Sequence, residues 1–377
     1  MTRVHLLTED GSQSSIAFNF PLRLHARRLA ERGLEVKLFD PDAGDEAFAC
    51  DVLCFNSNYF GSQWPGVDER VGKVLERARA RAGRLVWFDT SASSGTAQFE
   101  VLPFVDLYCK AQVLLDREAY LKEHHGDRVF TDYYFSRDGV RDEDGDRTER
   151  ALPSREDLAR IRVSWSTALG DFGVLARRFR RLGRFLPAFR RYSARFTPPD
   201  RKRPVKISCR LGLSHRRTTV LHHRKLIRDV LERAFGTETK PLPREEYLEE
   251  LRRSRIGVSP FGYGEVCFRD FEVILAGAAL VKPDMSHLET WPPVYVNGEC
   301  YAAHRWDASD LEAVVDRLLS GDAWRGLAAR AQEVYGRYLF EPAGHEEFVT
   351  RVEGIVRAAE SAGARPAASS APANLPG

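Results

Sequence analysis

The sequence predicts an α/β protein made of two parallel-sheet domains. Short apolar stretches of strand length alternate with stretches of helical periodicity through the first third of the chain, and the alternation resumes after residue 204. Strands that alternate with helices pair in parallel, because each helix carries the chain back to begin the next strand. A length of 377 residues exceeds one typical domain and suits two domains of ordinary size.

The composition is that of a soluble globular protein. Hydrophobic residues make up 43% and charged residues 29%, and the net charge of +3 is too small for the whole molecule to bind polyanions. No apolar run reaches membrane-spanning length and the first residues lack a signal peptide's apolar stretch, which predicts a cytoplasmic location. The six cysteines lack the paired spacing of a zinc site, so we expect reduced core thiols and no metal.

The first predicted domain spans residues 1–136. Its predicted strands are 4–7, 35–39, 52–55, 85–88 and 105–110, with helices over 17–32 and 68–82. Ligands of parallel sheets lie beyond the carboxyl ends of the strands. The ionisable residues that follow or end these strands include Asp10, Asp89 and Lys110.

Residues 137–203 separate the predicted domains. Residues 137–157 carry almost nothing apolar, which predicts a solvated loop. From Arg177 to Arg195, basic and aromatic residues alternate as in a basic amphipathic helix, interrupted near Pro187. Three interpretations remain open: a connecting helix whose aromatic face packs on the first domain, a helix that docks on an anionic membrane surface, and, ranked last, a nucleic-acid-binding helix.

The second predicted domain, residues 204–340, opens with a strand over 205–211 and a helix over 218–234. Arg216 and Arg217 lie at the start of that helix. Guanidinium groups bind phosphate bidentately, whereas cations at a helix N-terminus are slightly unfavourable unless an anion binds there. The pair is therefore a candidate anion site.

Residues 256–285 carry the most functional information, and they predict a strand, a glycine loop, a helix and a second strand. The first strand ends at Ser259, and the loop contains Phe261, Gly262 and Gly264. Free backbone N–H groups and the positive end of the dipole meet where such a loop enters a helix, so an anion binds there at little cost. Arg269 and Glu272 fall in the first turns of that helix.

This segment resembles the donor-binding segment of GT-B fold glycosyltransferases, and among them the exostosin-like and bacterial spore-coat-like members. The resemblance rests on Ser-Pro-Phe-Gly at 259–262, Cys-Phe-Arg-Asp-Phe-Glu at 267–272 and Ala-Gly-Ala at 276–278. It implies two Rossmann-like domains facing across a cleft and transfer of a sugar from a nucleotide sugar. The nucleotide sugar would be a co-substrate, with no cofactor and no metal.

The resemblance also assigns roles on the donor side. It implies that Glu272 binds the nucleotide ribose and that Arg269 lies near the diphosphate. The other implied donor-binding residues are Ser259, Phe261, Gly262, Gly264, Arg216 and Arg217. The alternative for Arg269 and Glu272 is an exposed ion pair three residues apart on an ordinary helix.

In such an enzyme the first domain faces the acceptor, here a saccharide or a lipid-linked sugar. An inverting member needs a general base, for which Asp89 and Asp10 are the candidates. Each could instead be a helix cap or a turn residue. A retaining enzyme needs no such base, so the stereochemistry stays open. Lys110 is interpreted as a solvated strand end, with a ligand for acceptor or diphosphate as the alternative.

The end of the chain completes the prediction. Residues 341–361 predict a helix that crosses back to the first domain, and the Ala, Pro, Ser and Gly content of 362–377 predicts a disordered tail. The predicted activity is glycosyl transfer, with the Arg177 to Arg195 segment as a possible peripheral contact with the inner membrane face. The alternatives are a non-catalytic nucleotide-sugar-binding protein and a nucleotide-sugar epimerase.

Overall fold

The computed structural model describes residues 1–61, 64–142, 151–173, 191–214 and 216–362. The strands of this part of the chain are β1 (Thr2–Leu7), β2 (Leu34–Phe39), β3 (Val52–Asn56), β4 (Arg84–Asp89), β5 (Leu107–Lys110), β6 (Gln112–Leu114), β7 (Ile161–Val163), β8 (Val205–Ser208), β9 (Ser254–Val258), β10 (Ala279–Pro283), β11 (Leu288–Thr290) and β12 (Ala302–His304). The helices are α1 (Gln13–Leu24), α2 (Ala26–Glu31), α3 (Glu69–Arg81), α4 (Val129–Asp138), α5 (Thr218–Phe235), α6 (Arg244–Arg253), α7 (Phe268–Ala276), α8 (Leu311–Leu319), α9 (Ala323–Phe340) and α10 (Pro342–Ser361).

Two parallel sheets organise the described residues, which confirms the predicted fold class. The first sheet has the order β2-β1-β3-β4-β5-β7 and the second the order β12-β10-β9-β8, with every neighbouring pair parallel. Central strands such as β3 are buried throughout, as expected where helices cover both faces of a parallel sheet.

The last strand of the second sheet differs from the sequence-based expectation. The segments over 294–296 and 300–301 look like strands because they are apolar and aromatic, yet the strand observed is β12, which follows them. The hydroxyl of Tyr295 donates to Asp270 at 2.7 Å. This hydrogen bond links the 294–296 segment to α7, which contains Asp270.

Short elements join the two domains. Strands β6 and β11 pair antiparallel, one from each half of the chain. The predicted boundary at residue 136 falls inside α4, which packs on α5 of the second domain. Tyr134 is buried at this junction, and its hydroxyl lies 2.6 Å from His223 Nδ1 and donates to the Trp306 carbonyl.

Helix α10 lies against the first domain, where it contacts α2, β3 and β4. Its Phe348 packs edge-on against Trp165, and Arg351 Nη1 donates to the Val163 carbonyl at the open edge of β7. Strand β1 and helix α10 therefore belong to or contact the same sheet.

Some predicted segments lie outside the described residues. They include most of the basic segment from Arg177 to Arg195, part of the loop over 137–157 and all but the first residue of the tail over 362–377. Within the described ranges, no helix is long and apolar enough to cross a membrane.

Candidate functional site

A pocket of about 370 Å³ lies at the carboxyl edge of the first sheet and is closed by Val266 and Phe268 from the second domain. Its polar lining consists of hydroxyl and amide side chains: Ser14, Ser57, Asn58, Thr90, Ser91, Thr96, Gln98, Gln112 and Thr167. Its aromatic lining consists of Phe18, Trp64, Trp165 and Phe268. Among the described residues that line it, none is ionisable.

Hydrogen bonds between neighbouring loops hold this lining in place. Ser57 and Thr90 follow the parallel strands β3 and β4, and their hydroxyls are 3.0 Å apart. Asn58 Nδ2 donates to Ser15 Oγ at 2.8 Å, which ties the same edge to the start of α1. The polar groups are thus positioned before any ligand arrives. The hydroxyl of Thr96 is buried and has no hydrogen-bond partner among the described residues.

Asp89, predicted as a general base, forms an ion pair beneath this pocket. Lys110 Nζ lies 2.8 Å from Asp89 Oδ2, and both side chains are 0% exposed. Burial favours the neutral acid, but Lys110, Ser91 and Tyr108 lower the pKa of Asp89 below its ordinary value. Both oxygens already accept hydrogen bonds, from Ser91 on one side and from Lys110 and Tyr108 on the other. The prediction of Lys110 as a solvated strand end is therefore wrong, whereas the role of Asp89 as a general base stays a prediction.

Asp10 is also held by donors. Its Oδ1 accepts from Asn19 at 3.0 Å and from Arg23 at 3.2 Å, and Arg23 also donates to its Oδ2. Asp10 is absent from the described lining of the pocket. Both oxygens of Asp10 thus accept hydrogen bonds, and its role as a general base stays a prediction.

The glycine loop after β9 packs on the first domain. A Cβ atom added to Gly264 would lie 1.6 Å from the Ala92 carbonyl oxygen. Glycine is required at this position because the backbone of the first domain approaches so closely. Gly264 therefore acts at the domain contact, and its role in donor binding stays a prediction.

Two more predicted donor residues are part of the interior. Phe261 is fully buried and packs against Phe130 and His223. Ser259 is buried and donates to Asp270, which also pairs with the buried Lys282 at 3.2 Å. Both side chains are thus packed inside the protein, and the donor-binding roles of Phe261 and Ser259 stay predictions.

Replacing Gly264 with alanine tests the domain contact. We expect the variant to lose about 1–3 kcal/mol of unfolding free energy, the usual cost of inserting a group into packed structure. Chemical denaturation measures the change. Gly326→Ala is the matched control, because Gly326 lies in α9 with nothing within 4 Å of an added Cβ. That variant is expected to keep or gain stability, and equal stability of both variants would contradict the assigned contact.

Arg269 and Arg224 form a cationic pair at the start of α7. Arg269 lies in the first turn, and among the described residues it forms no hydrogen bond and no salt bridge through its side chain. Burial opposes its charge, but neighbouring groups that include the Asp270 carboxylate raise the pKa of Arg269. Arg224, from α5, donates within the described residues to the carbonyls of Gly212 at 2.8 Å and Phe261 at 3.4 Å. Burial and the nearby Arg269 lower the pKa of Arg224. An added Cβ on Gly262 would be 3.7 Å from Arg224 Nη2, so the pair lies beside the glycine loop.

Arg224 was not found from the sequence, because nothing in the periodicity of α5 distinguishes it from its exposed basic neighbours. Arg216 and Arg217, the pair predicted as a phosphate site, differ in their surroundings. Arg217 Nη1 lies 3.3 Å from the Gly126 carbonyl and 3.9 Å from Asp142 Oδ2, at the junction with the first domain. Arg216 is exposed. A carboxylate therefore already lies near one of the two predicted phosphate ligands.

Glu272 pairs with Arg244 of α6 rather than with Arg269. Its side chain is 6% exposed, whereas that of Arg244 is 45% exposed. The ion pair with Arg269 three residues away, the alternative drawn from the sequence, is not formed. The carboxylate is thus held in place from one side by a partner that reaches solvent.

Glu265 forms a second contact between the domains that the sequence did not reveal. It is fully buried and accepts from the backbone N–H of Ser94 at 3.0 Å and from its hydroxyl at 2.7 Å. His287 Nε2 lies 4.0 Å away, too far for a hydrogen bond. Burial opposes ionisation, but His287 and Ser94 together lower the pKa of Glu265 to about 2.

No family model and no curated protein matches this chain. Among solved structures it is similar to Anabaena HepE in complex with UDP-glucose, with a TM-score of 0.44 and 10% identity over 94% of this chain and 100% of that one. It is similar to sucrose-phosphate synthase from Thermosynechococcus elongatus, with a TM-score of 0.43 and 14% identity over 95% and 98%. An α-glucosyltransferase in complex with UDP gives a TM-score of 0.40 and 12% identity over 95% and 100%. These similarities are too distant to identify a function.

Proposed function

We propose that this protein is a GT-B type glycosyltransferase that transfers a sugar from a nucleotide sugar to a saccharide or lipid-linked acceptor. The observation that carries the proposal is the Arg224 and Arg269 pair at the start of α7, which forms no salt bridge to a carboxylate in the described structure. Two adjacent guanidinium groups at a helix N-terminus suit the two adjacent charges of a diphosphate. The uncharged pocket begins one residue away, at Phe268.

The proposed roles follow from these positions. Arg224, Arg269 and the backbone around Gly262 would bind the diphosphate, with the exposed Arg216 as a further candidate. Glu272, held by Arg244, would accept hydrogen bonds from the ribose hydroxyls. UDP is the first nucleotide to test, since the distantly similar HepE was solved with UDP-glucose.

A second candidate is a non-catalytic nucleotide-sugar-binding protein. The observation that favours it is that both predicted bases are held by cations, Asp89 by Lys110 and Asp10 by Arg23. A retaining transferase also needs no such base. Release of UDP from UDP-glucose over time separates an enzyme from a binding protein. An epimerase that works through carboxylates and a histidine is disfavoured, because the described pocket lining contains neither.

Other predicted properties remain proposals. Membership of the exostosin-like group rests on the segment over 259–278 alone. Contact with a membrane or with nucleic acid would depend on a basic segment that lies mostly outside the described residues. No cluster of three potential metal ligands occurs in the described ranges, and metal independence stays a prediction.

Arg269→Gln should weaken UDP binding roughly ten- to a hundredfold, the range for hydrogen bonds to a charged group. Arg269→Lys should recover only part of the loss, because an ammonium group cannot reproduce the planar guanidinium. Titration calorimetry measures the affinities. Arg228→Gln in α5 is the control. Arg228 pairs with Asp229, so its replacement is expected to leave UDP binding unchanged. Wild-type affinity in Arg269→Gln would reject the diphosphate site.

A further inference from the structure

The pocket lined by Phe268 has no charged side chain in its described lining. Its described lining offers hydroxyl and amide groups and no cation. The nearest buried cation beneath it, Lys110, is already paired with Asp89 at 2.8 Å. A sugar carrying a carboxylate or a phosphate would therefore lose its hydration in this pocket without gaining a counter-charge, which is strongly unfavourable.

The start of α1 cannot supply the missing counter-charge either. A helix N-terminus attracts anions, and Ser14 in the first turn of α1 lines the pocket. The carboxylate of Glu9 already occupies this helix end, where it accepts from the Ser12 N–H at 3.2 Å and from the Ser15 hydroxyl at 3.0 Å. Its negative charge satisfies these donors and repels a second anion.

The same lining suits an uncharged sugar. Hydroxyl and amide groups both donate and accept hydrogen bonds, as sugar hydroxyls do. The buried hydroxyl of Thr96 has no partner in the described structure. Trp165 and Phe18, stacked with centroids 4.5 Å apart, provide an apolar wall. A volume of about 370 Å³ is at the small end of ligand pockets and suits a single sugar unit.

We propose that this pocket binds one uncharged monosaccharide unit and excludes uronic acids and sugar phosphates. The inference rests on the proposed function, because the sugar is expected to arrive beside a nucleoside diphosphate held by Arg224 and Arg269. The unit is either the sugar of the donor or the terminal sugar of the acceptor. Both have the same chemistry, and binding measurements separate them.

The donor arm compares UDP, UDP-glucose and UDP-glucuronate by calorimetry. If the donor sugar occupies the pocket, UDP-glucose binds more tightly than UDP, while UDP-glucuronate gains nothing over UDP. The acceptor arm adds glucose, galactose or N-acetylglucosamine, each with its 6-phosphate, to the protein saturated with UDP. If the acceptor occupies the pocket, at least one uncharged sugar raises the melting temperature further and its 6-phosphate does not.

Two variants test the lining itself. Thr96→Val should abolish the gain from the uncharged sugar and leave UDP affinity unchanged. Ser14→Lys places a cation in the pocket and should raise the affinity of the anionic sugar by about tenfold, the size of one charge-assisted hydrogen bond. Arg269→Gln, in contrast, should weaken UDP and both UDP-sugars alike.

The outcomes distinguish the two proposals. If UDP binds but charged and uncharged sugars behave alike, the pocket's selectivity is overturned. The same holds if no uncharged sugar raises the affinity or the melting temperature. The diphosphate site is retained in both cases. Absence of binding by UDP, ADP and GDP overturns the proposed function itself.

Discussion

Lys110→Met is expected to lower the free energy of unfolding by about 3–5 kcal/mol, the usual cost of leaving one partner of a buried ion pair alone. Both side chains of the Asp89–Lys110 pair are 0% exposed, so solvent cannot replace the missing cation. Asp89 would have to stay charged without its main partner or take up a proton in the folded state. Urea denaturation at neutral pH measures the loss.

Two controls make the Lys110 result specific. Lys37→Met removes an exposed ion pair with Glu35, and we expect a loss below about 1 kcal/mol. The double variant Asp89→Asn with Lys110→Met removes the unpaired charge as well, so it should be more stable than Lys110→Met alone. A single variant as stable as the wild type would mean that the two side chains are not paired in solution.

The second large effect is a pH dependence that comes from Glu265. Its pKa is about 2 in the folded protein and about 4.3 in an unfolded chain. Because the folded pKa is depressed, the carboxylate contributes stability above pH ~4.5, and this contribution is lost as the pH falls toward 2. A shift of this size corresponds to roughly 3 kcal/mol.

The comparison of wild type with Glu265→Gln isolates that contribution from the other acids. At pH 6 the variant should be less stable, and the difference should shrink steadily as the pH is lowered from about 4.5 to about 2. Glu35→Gln is the control: Lys37 lowers the pKa of Glu35 at the protein surface, where solvent screens the pair, so the convergence should be much smaller. A difference between wild type and Glu265→Gln that does not change with pH would exclude a depressed pKa.

The parallel sheets could be predicted because alternation of apolar and amphipathic stretches is a local property of the chain. The positions of the strands β1, β3 and β4 follow from short apolar runs bounded by turn residues. The short strands β6 and β11 were missed. Each has three residues and acquires its partner only when the two domains meet.

The proposed diphosphate site could be predicted in part. Arg269 stands at a helix start after a glycine loop, a local arrangement, and its guanidinium has no partner in the described structure. Its neighbour Arg224 lies in another helix, 45 residues earlier in the chain, and no local pattern joins the two. The requirement for glycine at position 264 could not be predicted either, because the Ala92 carbonyl that imposes it belongs to the other domain.

The sequence by itself determined the α/β class, the glycine loop before α7 and a cation in the first turn of that helix. Only the tertiary structure decided that the two predicted bases, Asp89 and Asp10, are held in ion pairs. Asp89 and Lys110 end adjacent parallel strands and face each other in register, so the order of strands in the sheet turns two separate strand ends into one buried ion pair. Burial and pairing depend on which segments meet in space, and periodicity along the chain carries no information on that.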